Sequence, residues 1–162
     1  MYMSKVIFTI KFFFAIGICL GLLGCHKADD EKVDCAKLGG SFFSDIDLVL
    51  RDFSTFDNDK KYLVYICGSQ TVHPPIIELA TVMANEGPTI VPYLLKKLNE
   101  TSSDATVRNI LRIFSEMQRN NSYNVARDKK LMQALYERVK TISDEGTRQD
   151  AIGVLAKIRA QK

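Results

Sequence analysis

Nine apolar positions in the C-terminal half recur at a fixed offset of 41 residues. Ile90, Val91, Leu94, Leu95 and Leu98 align with Leu131, Met132, Leu135, Tyr136 and Val139, and Ile110, Leu111, Phe114 and Met117 align with Ala151, Ile152, Leu155 and Ile158. Within each run the steps are mainly three and four residues, the spacing of one helix face. Each unit therefore predicts two helices joined by a short turn. Such a unit cannot bury its apolar faces alone and must stack on neighbours, which restricts the chain to an all-α architecture. Between the two helices of each unit an acid precedes a base by four residues, Asp104 before Arg108 and Asp144 before Arg148, at an offset of 40. The acid-first order favours both a helical ion pair and the helix dipole.

With Val91-Pro92 in its first helix and Val107-Arg108 opening its second, this unit resembles a HEAT repeat, and the resemblance covers roughly Pro74 to Arg159. It implies that Pro92 bends the first helix, and that Asp104 with Arg108 and Asp144 with Arg148 form a ladder of hydrogen bonds between neighbouring units. The last unit departs from the pattern: no proline matches Pro92, and Thr147 replaces Val107. The expected fold is all-α, a short HEAT-like α-solenoid of about five helices, with an irregular helical bundle as the alternative.

Upstream, Phe43, Ile46, Leu50 and Phe53 keep helical spacing, with Asp45 and Asp47 placed early, where a helix N-terminus favours negative charge. The run Lys60 to Gly68 reads as a second helix, started by Asp57-Asn58-Asp59 and stopped at Gly68. His73-Pro74-Pro75 is expected to open a third, with proline in its first turn and Ile76, Ile77, Ala80 and Met83 facing inward. The Phe43 helix and the basic end (Lys157, Arg159, Lys162) would cap the stack.

The N-terminal segment is of another kind. Lys5 precedes an apolar run from Phe12 to Leu23, closed by Leu22-Leu23-Gly24-Cys25. Small Gly24 suits a signal-peptidase cut, and the Cys25 thiol can take a diacylglyceryl thioether. This ending resembles the lipobox of bacterial lipoproteins, which implies cleavage before Cys25 and its acylation. An uncleaved transmembrane helix over residues 6–23 is the competing reading, and it would hold Lys11 in the bilayer at roughly 2.5–3.5 kcal/mol if central. His26 stands where an Asp tends to retain lipoproteins in the inner membrane, so the resemblance favours the outer membrane of a bacterial envelope, facing the periplasm. The expected organisation is 1–24 signal peptide, 25–40 acylated cysteine and flexible tether, and 41–162 helical domain. Residues 26–40 are too polar to offset their ordering entropy by burial.

Removing the leader changes the charge. The whole chain is +3; loss of Lys5 and Lys11 takes 22 basic residues to 20 against 19 acidic ones. A nearly neutral domain with interspersed charge has no electrostatic footprint for nucleic acid. In an oxidising periplasm Cys35 and Cys67 can pair and pin the tether to the domain; the alternative is a buried free thiol at Cys67 and a solvated Cys35.

Catalytic signals are sparse. His26 and His73 are too few for a metal site of ordinary ligand count, Asp57 and Asp59 lack the other ligands of a calcium loop, and no G-x-S-x-G elbow is present. No metal, cofactor or catalytic residue is assigned. The polar loop Arg119 to Asn124 offers Tyr123, with Arg119 and Arg127, as a candidate partner-binding cluster, against a plain solvated connection. The expectation is a lipid-tethered interaction module, an assembly factor or an inhibitor with a protein partner in the envelope. The alternative is an enzyme or small-ligand binder with a pocket near His73, Tyr62 and Tyr65.

Overall fold

The computed structural model describes residues 33–161, so the expected signal peptide, Cys25, His26 and Lys162 lie outside the described residues. Seven α-helices follow one another: α1 (Ile46–Phe53), α2 (Asn58–Thr71), α3 (Glu78–Ala84), α4 (Val91–Glu100), α5 (Asp104–Arg119), α6 (Lys129–Lys140) and α7 (Glu145–Ala160). The fold is all-α: the described residues contain no strand and seven helices, where about five were expected.

Local chemistry explains most helix starts. Asp45, Asp57, Ser103, Asp128 and Asp144 each occupy an N-cap and accept the N–H three residues on, at 3.0, 2.8, 3.3, 2.9 and 2.7 Å. Each such cap is worth about 1 kcal/mol. Pro92 falls in the first turn of α4, where its missing N–H costs nothing, so it starts the helix instead of bending it.

Helix α5 is the centre of the fold. It packs most extensively against α7 and α3 and also touches α2, α4 and α6. Ile110, Leu111, Ile113, Phe114 and Met117 are fully buried along it. The row α3–α5–α7 forms one layer, with α4 and α6 paired to α5 and α7 through short turns.

Three expectations upstream are corrected. Gly68 does not stop α2, which continues to Thr71; a Cβ there would lie 3.1 Å from Leu79 Cδ1 and 3.4 Å from Phe43 Cε1, so glycine admits close packing. The His73-Pro74-Pro75 segment, with a cis bond before Pro74, precedes α3 without joining it; that helix begins only at Glu78. Ile76 is buried, but its neighbour Ile77 is 63% exposed, because it stands just ahead of α3 where the surface between α3, α5 and α7 lies open. At the N-terminal side, Cys35–Leu38 forms a 3-10 turn capped by Asp34, and Val33 and Leu38 lie against the core. The last part of the expected tether, residues 33–40, therefore rests on the helical body.

Candidate functional site

Between α3, α5 and α7 the surface dips into a groove of about 440 Å³. Ile77, just before α3, and Ala80 within it form one wall. Arg108, Arg112, Ser115 and Glu116 come from α5, and Gln149, Asp150, Gly153, Val154 and Lys157 from α7. The residues recur at three- and four-residue steps, so one face of each helix lines the groove.

The acids of the groove are already engaged. Glu116 accepts from Arg119 Nε at 2.8 Å and Thr81 Oγ1 at 3.4 Å. Asp150 lies 3.7 Å from Arg108 across the α5–α7 junction. Arg112 and Lys157 make no ion pair among the described residues, and Arg108 Nε is buried without a hydrogen-bond partner. The groove thus has more hydrogen-bond donors and positive charge than it can satisfy internally. Gly153 stands within α7 where a Cβ would meet nothing within 4 Å, so packing within the chain does not require glycine there.

The residues singled out in the sequence distribute differently. Tyr123 donates to Asp128 Oδ2 at 2.6 Å and packs against the core, while Arg119 is bound to Glu116 and Arg127 is exposed. The loop aromatic is a structural strut, and Arg119 and Tyr123 already hold partners within the chain. Its hydrogen bond to Asp128 pushes the Tyr123 phenol up; the Leu131 amide, followed by that same phenol, holds the Asp128 carboxyl below its usual range.

His73 does not line the groove between α3, α5 and α7. That histidine is exposed, whereas Tyr62 and Tyr65 are buried. Burial pushes the Tyr65 phenol up, and its hydroxyl donates to the Asn109 carbonyl at 2.8 Å, which suits structure and not proton transfer. No group of three or more His, Cys, Asp or Glu side chains is placed to hold a metal ion among the described residues.

The two acid–base pairs prove inequivalent. At the apolar offset of 41, Ser103 matches Asp144 as N-cap, so Asp104 is the first helical residue and its counterpart is Glu145. Asp104 Oδ2 accepts from Ser143 N, Ser143 Oγ and Asp144 N at 3.0, 2.7 and 2.9 Å, tying α5 to the next turn. Partial burial raises this carboxyl, but those hydrogen bonds outweigh it and hold Asp104 below the usual range. Arg108 reaches forward to Asp150, whereas Arg148 turns back to the Ile142 carbonyl at 3.2 Å and to Glu145. Neither arginine pairs with the aspartate four residues before it.

Another inter-unit link went unread in the sequence. Arg138 donates Nε to the Leu98 carbonyl at 2.9 Å and another N–H to the Thr101 carbonyl, fastening α6 to the end of α4. Its counterpart 41 residues earlier, Lys97, lies 3.8 Å from Asp59 and near the Tyr62 and Tyr93 rings. Both bases reach back to the preceding unit, and their shared offset was the available signal.

Cys35 and Cys67 are joined by a disulfide with Cα atoms 5.6 Å apart, fastening the N-terminal 3-10 turn to α2. The groove residues Ile77, Arg112, Ser115, Gly153 and Lys157 were not anticipated as a site. Two signals pointed there: Arg108 and Arg112 place like charges on one helix face, and Gly153 interrupts a helical run without a turn. No family model, curated protein or solved structure matches this chain.

Proposed function

We propose that this chain is a lipid-anchored envelope protein whose HEAT-like helical domain presents the α3–α5–α7 groove to another protein, as an assembly factor or an inhibitor. The groove carries the reading. It is open, lined by three neighbouring helices of one layer, and holds unneutralised cations beside the exposed Ile77. A large exposed apolar side chain next to unpaired charge is more useful to a docking surface than to the fold. The lipobox-like Leu22-Leu23-Gly24-Cys25 supports anchorage through Cys25 in the outer membrane, and the Cys35–Cys67 disulfide suits an oxidising compartment. Neither a cofactor nor catalysis is part of this reading.

Two measurements test it. Labelled fatty acid should enter the wild-type chain and not a Cys25→Ala variant; equal labelling would remove the anchor. A photo-reactive residue at Ser115 should cross-link a protein in intact envelope, while one at exposed Lys130 should not. Equal yields at the two positions would remove the groove as the docking surface.

A further inference from the structure

The occupant of the groove can be narrowed by its chemistry, on the reading that the groove docks a protein. Its two acids are satisfied internally, Glu116 by Arg119 and Asp150 by Arg108, whereas Arg112 and Lys157 face the same space without an ion pair among the described residues. A ligand that lies there must supply negative charge at two points, one on α5 and one on α7. At one wall Ile77 is 63% exposed beside Ala80, a place for an apolar side chain. On the opposite wall Gly153 leaves the helix backbone bare, with nothing within 4 Å of where a Cβ would stand. An exposed glycine within a helix is less stable than alanine there, and no contact in the fold recovers the difference. Close approach of another chain would.

We propose that the groove binds an extended acidic segment of a partner protein. Its carboxylates pair with Arg112 and Lys157, an apolar side chain rests on Ile77, and its backbone passes over Gly153. Complementary charge of this kind steers encounter and fixes register, while the apolar anchor holds the complex.

The test uses the full chain in its native envelope, with the photo-reactive residue at Ser115 and the cross-linked stretch of the partner sequenced by mass. The expected adduct is a protein stretch with an excess of Asp and Glu around at least one large apolar residue. The double variant Arg112→Glu, Lys157→Glu should lower its yield about tenfold or more. Gly153→Gln should lower it comparably with no fall in thermal midpoint, since its side chain fills the groove without touching the core. An adduct on a neutral or basic stretch overturns the acidic segment and leaves the docking reading standing. Adducts with anionic lipid alone, or none, overturn both. Full yield in the charge-reversed or the Gly153→Gln variant also overturns the proposal.

Discussion

The α4–α5 and α6–α7 units carry the same apolar spacing, yet they do different work because the first has helices on both sides and the second is the last among the described residues. Eight of the nine sequence pairs have similar exposure in the two units. The exception is Leu111 with Ile152: Leu111 is fully buried, and Ile152 is 44% exposed. The acids diverge in the same way. Asp104 gathers three hydrogen bonds from the following turn, while its structural counterpart Glu145 binds Arg148 and Gln149 of its own helix, because no further turn of the described chain lies beyond. A repeated residue acquires a role only from what stacks on it.

The sharpest way to break this comparison is a matched pair of truncations. Leu111→Ala should destabilise by about 2–5 kcal/mol and Ile152→Ala by less than about 1 kcal/mol, measured by denaturant unfolding. Equal losses would mean that the terminal unit is as enclosed as the interior one.

The two ends of the helical body differ as well, since among the described residues only the N-terminal one is covalently stapled. Cys35 and Cys67 are 32 residues apart in sequence. Closing a loop of that size is worth about 3–4 kcal/mol by chain entropy, so reduction should lower the thermal midpoint markedly. Thiol alkylation before and after reduction should differ by two cysteines. An unchanged midpoint after confirmed reduction would show that burial alone secures that end.

A smaller effect separates the acids. Asp104→Ala should cost about 1–2 kcal/mol and Glu145→Ala about 0.5 kcal/mol or less. The same contacts predict acid sensitivity. Asp104, Asp128 and Asp144 are all held below their usual range when folded, so the unfolded chain takes up protons first as the pH falls. Their contribution is complete above the unfolded carboxylate value near pH 4 and is lost as the pH falls through the lower folded values. The thermal midpoint should drop below about pH 5, and Asp104→Ala should flatten that drop. A steeper drop in the variant would assign the acid sensitivity elsewhere.

The smallest expected change is a gain. Gly153→Ala should stabilise by about 0.5–1 kcal/mol, because its Cβ meets open space and alanine loses less entropy in a helix. Destabilisation would mean that α7 needs glycine for its own packing, and would remove one support for a ligand approaching there.

Much of the fold was legible in local pattern. Asp45 and the Asp57 turn led into helices as expected, the apolar steps placed α4 to α7, and the run Lys60 to Gly68 is helical as its pattern implied. The errors arose where a local signal had a second use. Proline at Pro74 and Pro75 marked a connection and not a helix start, and Gly68 marked close packing and not a stop. Tyr123 looked like a free loop aromatic because its partner Asp128, five residues away, also had to serve as an N-cap. The groove was less legible, since its walls come from helices far apart in sequence.

The sequence by itself determined the helical period, the caps that start five of the helices, the near balance of basic and acidic residues after residue 24, and the lipobox-like Cys25 that supports the proposed address. These are properties of neighbouring residues, set by side-chain spacing and by which atoms can reach a backbone N–H within one turn. Only the tertiary structure decided that Asp104 bridges units while Asp144 caps a single helix, that Ile77 is exposed, that Cys35 meets Cys67, and that Arg112 and Lys157 share an unneutralised groove. Those outcomes depend on which helix lies against which, and a 40-residue offset in the chain carries that information only through packing.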